Sequence, residues 1–455
     1  MENPALLNNV LVRWFRQKST STQLSVLIFV ALALRLIVVA SVIPHTIAPT
    51  DHFAEFGWEV GWVARSIATG HGFSSPFYPA SGPTALVPPL FTYLLAAVFR
   101  AFGPYTAVSA VTILSINSIF SALTCVPVYF STRYAMGRRA AMLAAWGWAL
   151  YPFAIYFSAA RVWEYALTGL LFTTCFCLAQ RLHHQQSKLT WLGFGGLYGI
   201  AALSNPSVLS VFPVFLLLAI FAPGCQKEWG LRNSLIAILG LIAVLAPWTV
   251  RNYRALHVLV PIRDGFWMEA WPGNDGNTFE SNDHTARPPT SPVELQKFIA
   301  HGEIAYLAED RALTMDFIHR HPLLFIKFTL HRVLSYWTGY WSFDSAYLRD
   351  QPTEIPNMFF SIGLTIFMLI GARRLWLHDK AAALPYLLLL AIFPIPYYLT
   401  HVIPDYRQPI EPEIIALVSA GILSLKRFRR SSVEADPQRE QRPLTPCSRT
   451  GRRFA

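Results

Sequence analysis

The sequence predicts an all-α polytopic membrane protein of about ten transmembrane helices, with interfacial helices and two long outer loops. Three observations predict it. Hydrophobic residues make up 53% of the 455-residue chain and charged residues only 14%, against roughly 25% charged in a soluble domain. The apolar residues gather in runs long enough to cross lipid. The net charge of +11 comes from basic residues at the ends of those runs, which reads as topology and not as a nucleic-acid surface.

Residues 1–23 carry Arg13, Arg16 and Lys18 and form a cytoplasmic N-terminus. The run that follows, 24–43, is longer than a signal h-region and is expected as an uncleaved first span. The other expected spans are 108–131, 140–158, 163–180, 190–204, 207–222, 233–250, 357–372, 382–400 and 409–425. Threaded with the N-terminus inside, every inside segment is basic. Arg138 and Arg139, Arg181 and Lys188, Lys227 and Arg232, Arg373 and Arg374, and Lys426 and Arg427 all fall on that side.

The same rule decides residues 89–102. Counting them as a span would put Arg138 and Arg139 outside, and the run falls short of the roughly twenty residues a bilayer needs. An interfacial helix is expected there. Residues 322–341 contain Lys327, His331 and Arg332 and are expected to be interfacial or re-entrant.

This divides the chain into a membrane module over 24–250 with an outer loop at 44–107 and a large outer loop at 251–356. C-terminal helices at 357–425 and a disordered cytoplasmic tail at 426–455 complete it. Outer tracts this long between spans suggest function. The five cysteines show neither a disulfide framework nor metal-ligand spacing.

The chemistry gathers outside. Asp51, Glu55 and Glu59 are spaced i, i+4, i+8 and would stack on one helix face. Stacked like charges make sense where a cation, a metal or a proton-accepting task uses the face, and equally on a solvated interfacial helix with Trp58 and Trp62 towards lipid. A helix through Ala64 ends at Gly70, with His71 between it and Gly72, and Pro88-Pro89 opens the interfacial helix. Arg161 and Glu164, at i and i+3, are expected to pair at a helix end. Arg251 and Arg254 lie just outside the seventh span, and Arg407, next to Tyr406, lies in the last outer turn. Arginine is disfavoured on that side, and guanidinium forks match phosphate oxygens. Asp264, Glu269, Asn274, His401, Asp405 and Glu411 are further polar groups on these tracts. Arg35, inside the first span, is expensive in lipid and needs a partner or a role.

This set of residues resembles the GT-C fold glycosyltransferases. Specifically, it resembles bacterial relatives of the dolichyl-phosphate-mannose protein mannosyltransferases and of the lipid A aminoarabinose transferase. The elements are the acidic stretch Asp51 to Glu59, Ala64 to Phe73, Pro88-Pro89-Leu90, Arg138-Arg139, Glu164, Pro247-Trp248 with Arg251-Asn252-Tyr253, and Tyr406-Arg407-Gln408-Pro409 with Glu411-Pro412. Each is short; their order and topology carry the likeness over about 24–430.

The resemblance implies a sugar donor carried on a polyprenyl phosphate and a catalytic acid in the first outer loop, here Asp51 first, then Glu59, then Glu55. Displacing a phosphate from an anomeric carbon needs a carboxylate to orient or deprotonate the acceptor hydroxyl. It also needs cations for the departing phosphate, for which Arg251, Arg254 and Arg407 are the candidates. Arg161, Glu164, His71 and Tyr406 are expected to support them. A divalent metal could be held by His52, His71 or His257 with a carboxylate, although no ligand spacing supports it.

The expected function is inverting transfer of one sugar to a protein, lipid or glycan acceptor at the outer face of a bacterial inner membrane. The alternative is a flippase or transporter of lipid-linked sugars. Transporters place ionisable groups near the bilayer midplane, where this chain has only Arg35.

Overall fold

An apolar stretch interrupted by one arginine forms the first long helix, α1 (Thr20–Thr46). Ser19 starts it, its hydroxyl accepting from the Thr22 amide at 3.2 Å. The structure is a computed structural model that describes residues 19–46, 56–57, 59–78, 80–222, 226–275, 287–339, 348–349 and 354–427. Asp51, His52, Glu55 and the expected tail beyond residue 427 lie outside the described residues.

Two short helices follow in the first outer segment. α2 (Glu59–Ala68) buries Val60, Val63 and Ala64. It ends where Gly70 and Gly72 take φ of +90° and +76°, a conformation glycine adopts without strain. α3 (Pro89–Phe102) opens on proline and closes at Gly103. Its bounds coincide with the expected interfacial helix, and it packs on α2.

α4 (Ala107–Leu123) and α5 (Cys125–Met136) run as one span of 30 residues. α6 (Arg138–Ala149) and α7 (Pro152–Ala159) meet at a 44° bend. The bend frees carbonyls inside the expected membrane layer, and Arg35 takes them. Its Nη1 donates to Ala149 O at 3.0 Å and its Nη2 to Trp148 O at 3.4 Å, while Nε reaches Ser121 Oγ at 3.0 Å. A buried cation thus satisfies a broken helix end.

The remaining helices of this half are α8 (Tyr165–Ala179), α9 (Lys188–Ser204), α10 (Phe212–Ile220) and α11 (Lys227–Leu256). Lipid tails are as apolar as leucine, so close contact and not burial from water holds such helices together. Glycines provide it between α9 and α11: a Cβ on Gly195 would stand 1.8 Å from the Ala237 carbonyl.

The second outer segment holds α12 (Phe266–Ala270), α13 (Pro292–His301), α14 (Glu303–Arg320) and α15 (Pro322–Thr338). A small separate core binds it to the first outer segment. Phe77 and Leu86 pack with Met268, Phe298, Tyr306 and Leu307, and the Phe77 and Phe298 rings meet edge-on at 4.9 Å. The chain returns through α16 (Glu354–His378), α17 (Lys380–Ile392), α18 (Ile395–Leu399), a 3-10 turn over Pro404–Ile410 and α19 (Glu411–Arg427). α16 and α19 also meet through glycine: a Cβ on Gly371 would lie 1.9 Å from Leu417 O.

Each of the ten expected spans falls on helical structure. Among the described residues, five helices are long and apolar enough to cross a membrane, or six if the bent pair counts as one. Tyr165–Ala179 and Pro206–Ile220 are apolar but shorter, so length and hydropathy support a polytopic helical protein without reaching ten. Among the described residues there is no strand, only an isolated bridge between Ser74 and Pro83. Cys125, Cys175 and Cys177 are free and buried.

Candidate active site

Four segments converge above the spans: the start of α2, the turn between α7 and α8, the segment around α12, and the last outer turn. Gly57 makes the first approach. Its φ is +81°, and a Cβ there would come within 2.4 Å of Val162 O. Only glycine lets the backbone lie that close, and this seats Glu59 at the head of α2. Phe56, fully buried, pins the same point against Phe99 and Tyr105.

Glu59 faces a network of two arginines and a carboxylate. Arg263 Nη2 donates to Glu269 Oε1 at 2.9 Å, and Arg287 Nη2 donates to Glu269 Oε2 at 2.9 Å. One carboxylate thus holds two guanidinium groups, each through a single Nη2. Burial opposes ionisation of Glu269, but Arg287, His401 and Arg263 outweigh it and hold the carboxyl at about 2. Glu59 moves the other way. Burial pushes it up to about 7, Glu269 adds to the push, and Arg287 and Arg263 resist.

His401 completes the network. Its Nδ1 lies 3.0 Å from the Glu269 main-chain oxygen. A carbonyl only accepts, so the proton is on Nδ1. Burial and Arg287 lower the ring to about 4, leaving it neutral with Nε2 as acceptor. Nε2 receives the Tyr406 hydroxyl at 2.7 Å and Arg287 Nη2 at 3.3 Å. The tight turn before it is braced as well: Asn274 Nδ2 donates to Ala270 O at 2.7 Å and Leu399 O at 3.1 Å, and Arg332 Nη1 donates to Asn274 Oδ1 at 3.2 Å.

Glu164 and Arg161 sit beside this cluster but not on each other. Residues 160–164 are not helical, so the i, i+3 spacing does not align them. Arg161 instead lies 3.9 Å from Asp405, which also accepts from the Tyr165 hydroxyl at 3.2 Å. Glu164 accepts from Asn205 Nδ2 at 3.4 Å and is buried.

The other sequence candidates are dispersed. Arg251 donates to Thr84 O at 2.7 Å and to Phe73 O, and stacks over Phe73 and Trp248. It ties the first outer segment down. Arg254 is exposed at the end of α11. His71 is exposed and bonds to Thr69 Oγ1 at 3.0 Å. Arg407 is buried, pairs with Glu411, and donates to Tyr336 O at 3.2 Å and Trp337 O at 3.4 Å. It caps the end of α15 and lines a cleft with Ser335, Asn357, Ser361 and Gln408. Among the described residues no group of three His, Cys, Asp or Glu could hold a metal ion.

Sequence reasoning missed Arg263 and Arg287 and assigned no role to Glu269 and His401. A signal existed, since both arginines fall in the tract expected outside, the same argument that singled out Arg251.

The architecture has solved counterparts. The chain superposes on the oligosaccharyltransferase of Archaeoglobus fulgidus in its apo form with a TM-score of 0.55, at 15% identity over 91% of this chain and 51% of that one. It superposes equally on the complex of that enzyme, AglB, with an inhibitory peptide and a dolichol-phosphate: TM-score 0.54, 16% identity, 91% and 52% coverage. The fold is of the GT-C type. The chain spans about half the length of these GT-C structures. Residues 86–250 match the family model described as dolichyl-phosphate-mannose-protein mannosyltransferase. That stretch of the GT-C fold runs from α3 to α11 and contains Arg161 and Glu164, but not Glu59, Arg263, Glu269 or Arg287. No curated protein sequence matches the chain significantly.

Proposed function

We propose that the protein is a membrane glycosyltransferase that moves one sugar from a polyprenyl-phosphate donor to a protein, lipid or glycan hydroxyl at the outer face of a bacterial inner membrane. One observation carries the reading: at the head of α2, Glu59 lies within electrostatic reach of two arginines, Arg263 and Arg287, that share the Glu269 carboxylate. The carboxylate takes the proton of the acceptor hydroxyl, whose oxygen attacks the anomeric carbon. The bond from that carbon to the phosphate oxygen breaks, and its electron pair leaves with the polyprenyl phosphate. Attack opposite the leaving group inverts the anomeric centre. Arg263 and Arg287 steady the charge growing on the departing phosphate.

Asp51 remains the first candidate for the catalytic acid on sequence grounds, with Glu55 beside it, and Glu59 has the described surroundings that suit the task. Arg407 and its cleft are the second place for a donor phosphate, and Arg254 is exposed near the membrane surface. A dolichol-phosphate and a peptide bound to AglB support lipid-linked chemistry on this fold. Arg35 argues against a transporter. Its guanidinium is tied to Ser121 and to carbonyls of α1 and α6, so this charge is fixed and not mobile.

The test is transfer by the full-length protein in proteoliposomes, supplied with radiolabelled polyprenyl-phosphate sugars and extracted acceptors. Asp51→Asn and Glu59→Gln should each lower turnover, and the true base by about 10²–10⁴-fold. Full transfer by both variants would sink the assignment.

A further inference from the structure

Away from the arginine network, a second pair of carboxyls is buried where the two outer segments meet. Glu303, the first residue of α14, is 4% exposed. Its Oε1 accepts from the Ala85 amide at 2.6 Å, and the Ala85 carbonyl accepts from the Asp264 amide at 3.3 Å. The two acidic residues therefore grip one peptide of the first outer segment from both sides. Their side chains also face each other. Glu303 Oε2 and both Asp264 carboxyl oxygens are buried and make no hydrogen bond of good geometry among the described residues, although the Thr84 hydroxyl lies near the Glu303 carboxyl and the Asp264 amide near its own.

Two acceptors cannot face each other at close range without a proton between them. The charged groups around the pair do not supply a substitute. Arg251, from α11, uses its Nη atoms on Thr84 O, Phe73 O and Asn252 Oδ1. Arg263, next to Asp264, bonds to Glu269. Tyr93, on α3, lies on the Arg251 side.

The geometry points to Glu303 and Asp264 as positioning residues that share one proton, carried on Glu303 Oε2 and donated to Asp264, and so clamp the first outer segment behind Glu59. Burial drives both carboxyls upward, and the charge of Asp264 drives Glu303 further. A raised carboxyl stabilises the fold at low pH and loses that contribution as pH rises through its shifted value. The clamp therefore holds in acid and loosens in alkali.

Hydrogen exchange of the full-length protein in nanodiscs tests this without substrate, so its failure would leave the glycosyl-transfer reading untouched. The readout is protection of residues 80–90, corrected for intrinsic exchange, between about pH 5 and about pH 9, the range in which buried carboxyls titrate. One linked proton makes local opening rise by up to about tenfold per pH unit between the ordinary carboxyl value and the raised one, and level off above it. Glu303→Gln keeps an acceptor for Ala85 and carries a permanent donor to Asp264, so it should stay protected at alkaline pH. Asp264→Asn removes the need for the proton and should flatten the profile as well. A flat wild-type profile, or a Glu303→Gln profile that follows wild type, overturns the proposal.

Discussion

His401 donates its Nδ1 proton to the main-chain carbonyl of Glu269 at 3.0 Å, so one imidazole joins the last outer turn to the helix that carries the arginine-binding carboxylate. The bond sets the tautomer, and the tautomer makes Nε2 the acceptor for Tyr406 and Arg287.

Replacing His401 with Phe keeps the volume roughly and removes three hydrogen bonds. Buried groups left without partners cost about 1–3 kcal/mol each. Thermal unfolding of the purified protein in detergent should show a clearly lower midpoint, whereas an unchanged midpoint would mean the network contributes little.

Glu59 predicts a pH profile. A base with a carboxyl at about 7 is ionised above that pH, so transfer should rise through an acid limb near it. If Glu59 is the base, Glu59→Gln removes both the limb and the activity. An acid limb well away from that pH would exclude Glu59 as the base.

Glu269 predicts acid sensitivity of the fold. Its carboxyl is depressed from 4.5 to about 2. It therefore contributes stability above 4.5, and that contribution is lost as pH falls from there towards 2. Glu269→Ala leaves Arg263 and Arg287 unpaired and should cost about 3–5 kcal/mol. Denaturation followed across that pH window should show the acid slope in wild type and its loss in the variant.

The helix pair α16 and α19 predicts a steric effect with no chemistry in it. Gly371→Val places atoms where Leu417 O already stands. The helices must separate, at a cost of about 1–3 kcal/mol or more. Wild-type thermal stability in the variant would contradict the close contact.

The helices were legible because apolar length and basic flanks are properties of consecutive residues. A helix at 89–102 appears with its expected bounds, since Pro88-Pro89 opens it and Gly103 closes it. The site was legible only in part. The expected Arg161–Glu164 pair assumed a helix, and the backbone there is a turn. Arg251 reads in sequence as a free outer cation, yet the carbonyls of Phe73 and Thr84 occupy it. Arg263 and Arg287 have no telling spacing. What unites them is Glu269, a relation that exists only once the second outer segment has folded.

The small core of Phe77, Leu86, Met268, Phe298, Tyr306 and Leu307 sets an order of events during synthesis. Its two halves are separated along the chain by every helix from α3 to α11. The early half emerges first with only Trp62 against Phe77, and its cover is incomplete until the later half has followed it. Glu59 thus waits, at the edge of an unfinished surface, until the chain has grown past Leu307. A chain arrested before that point could insert its first helices correctly and still hold no assembled site.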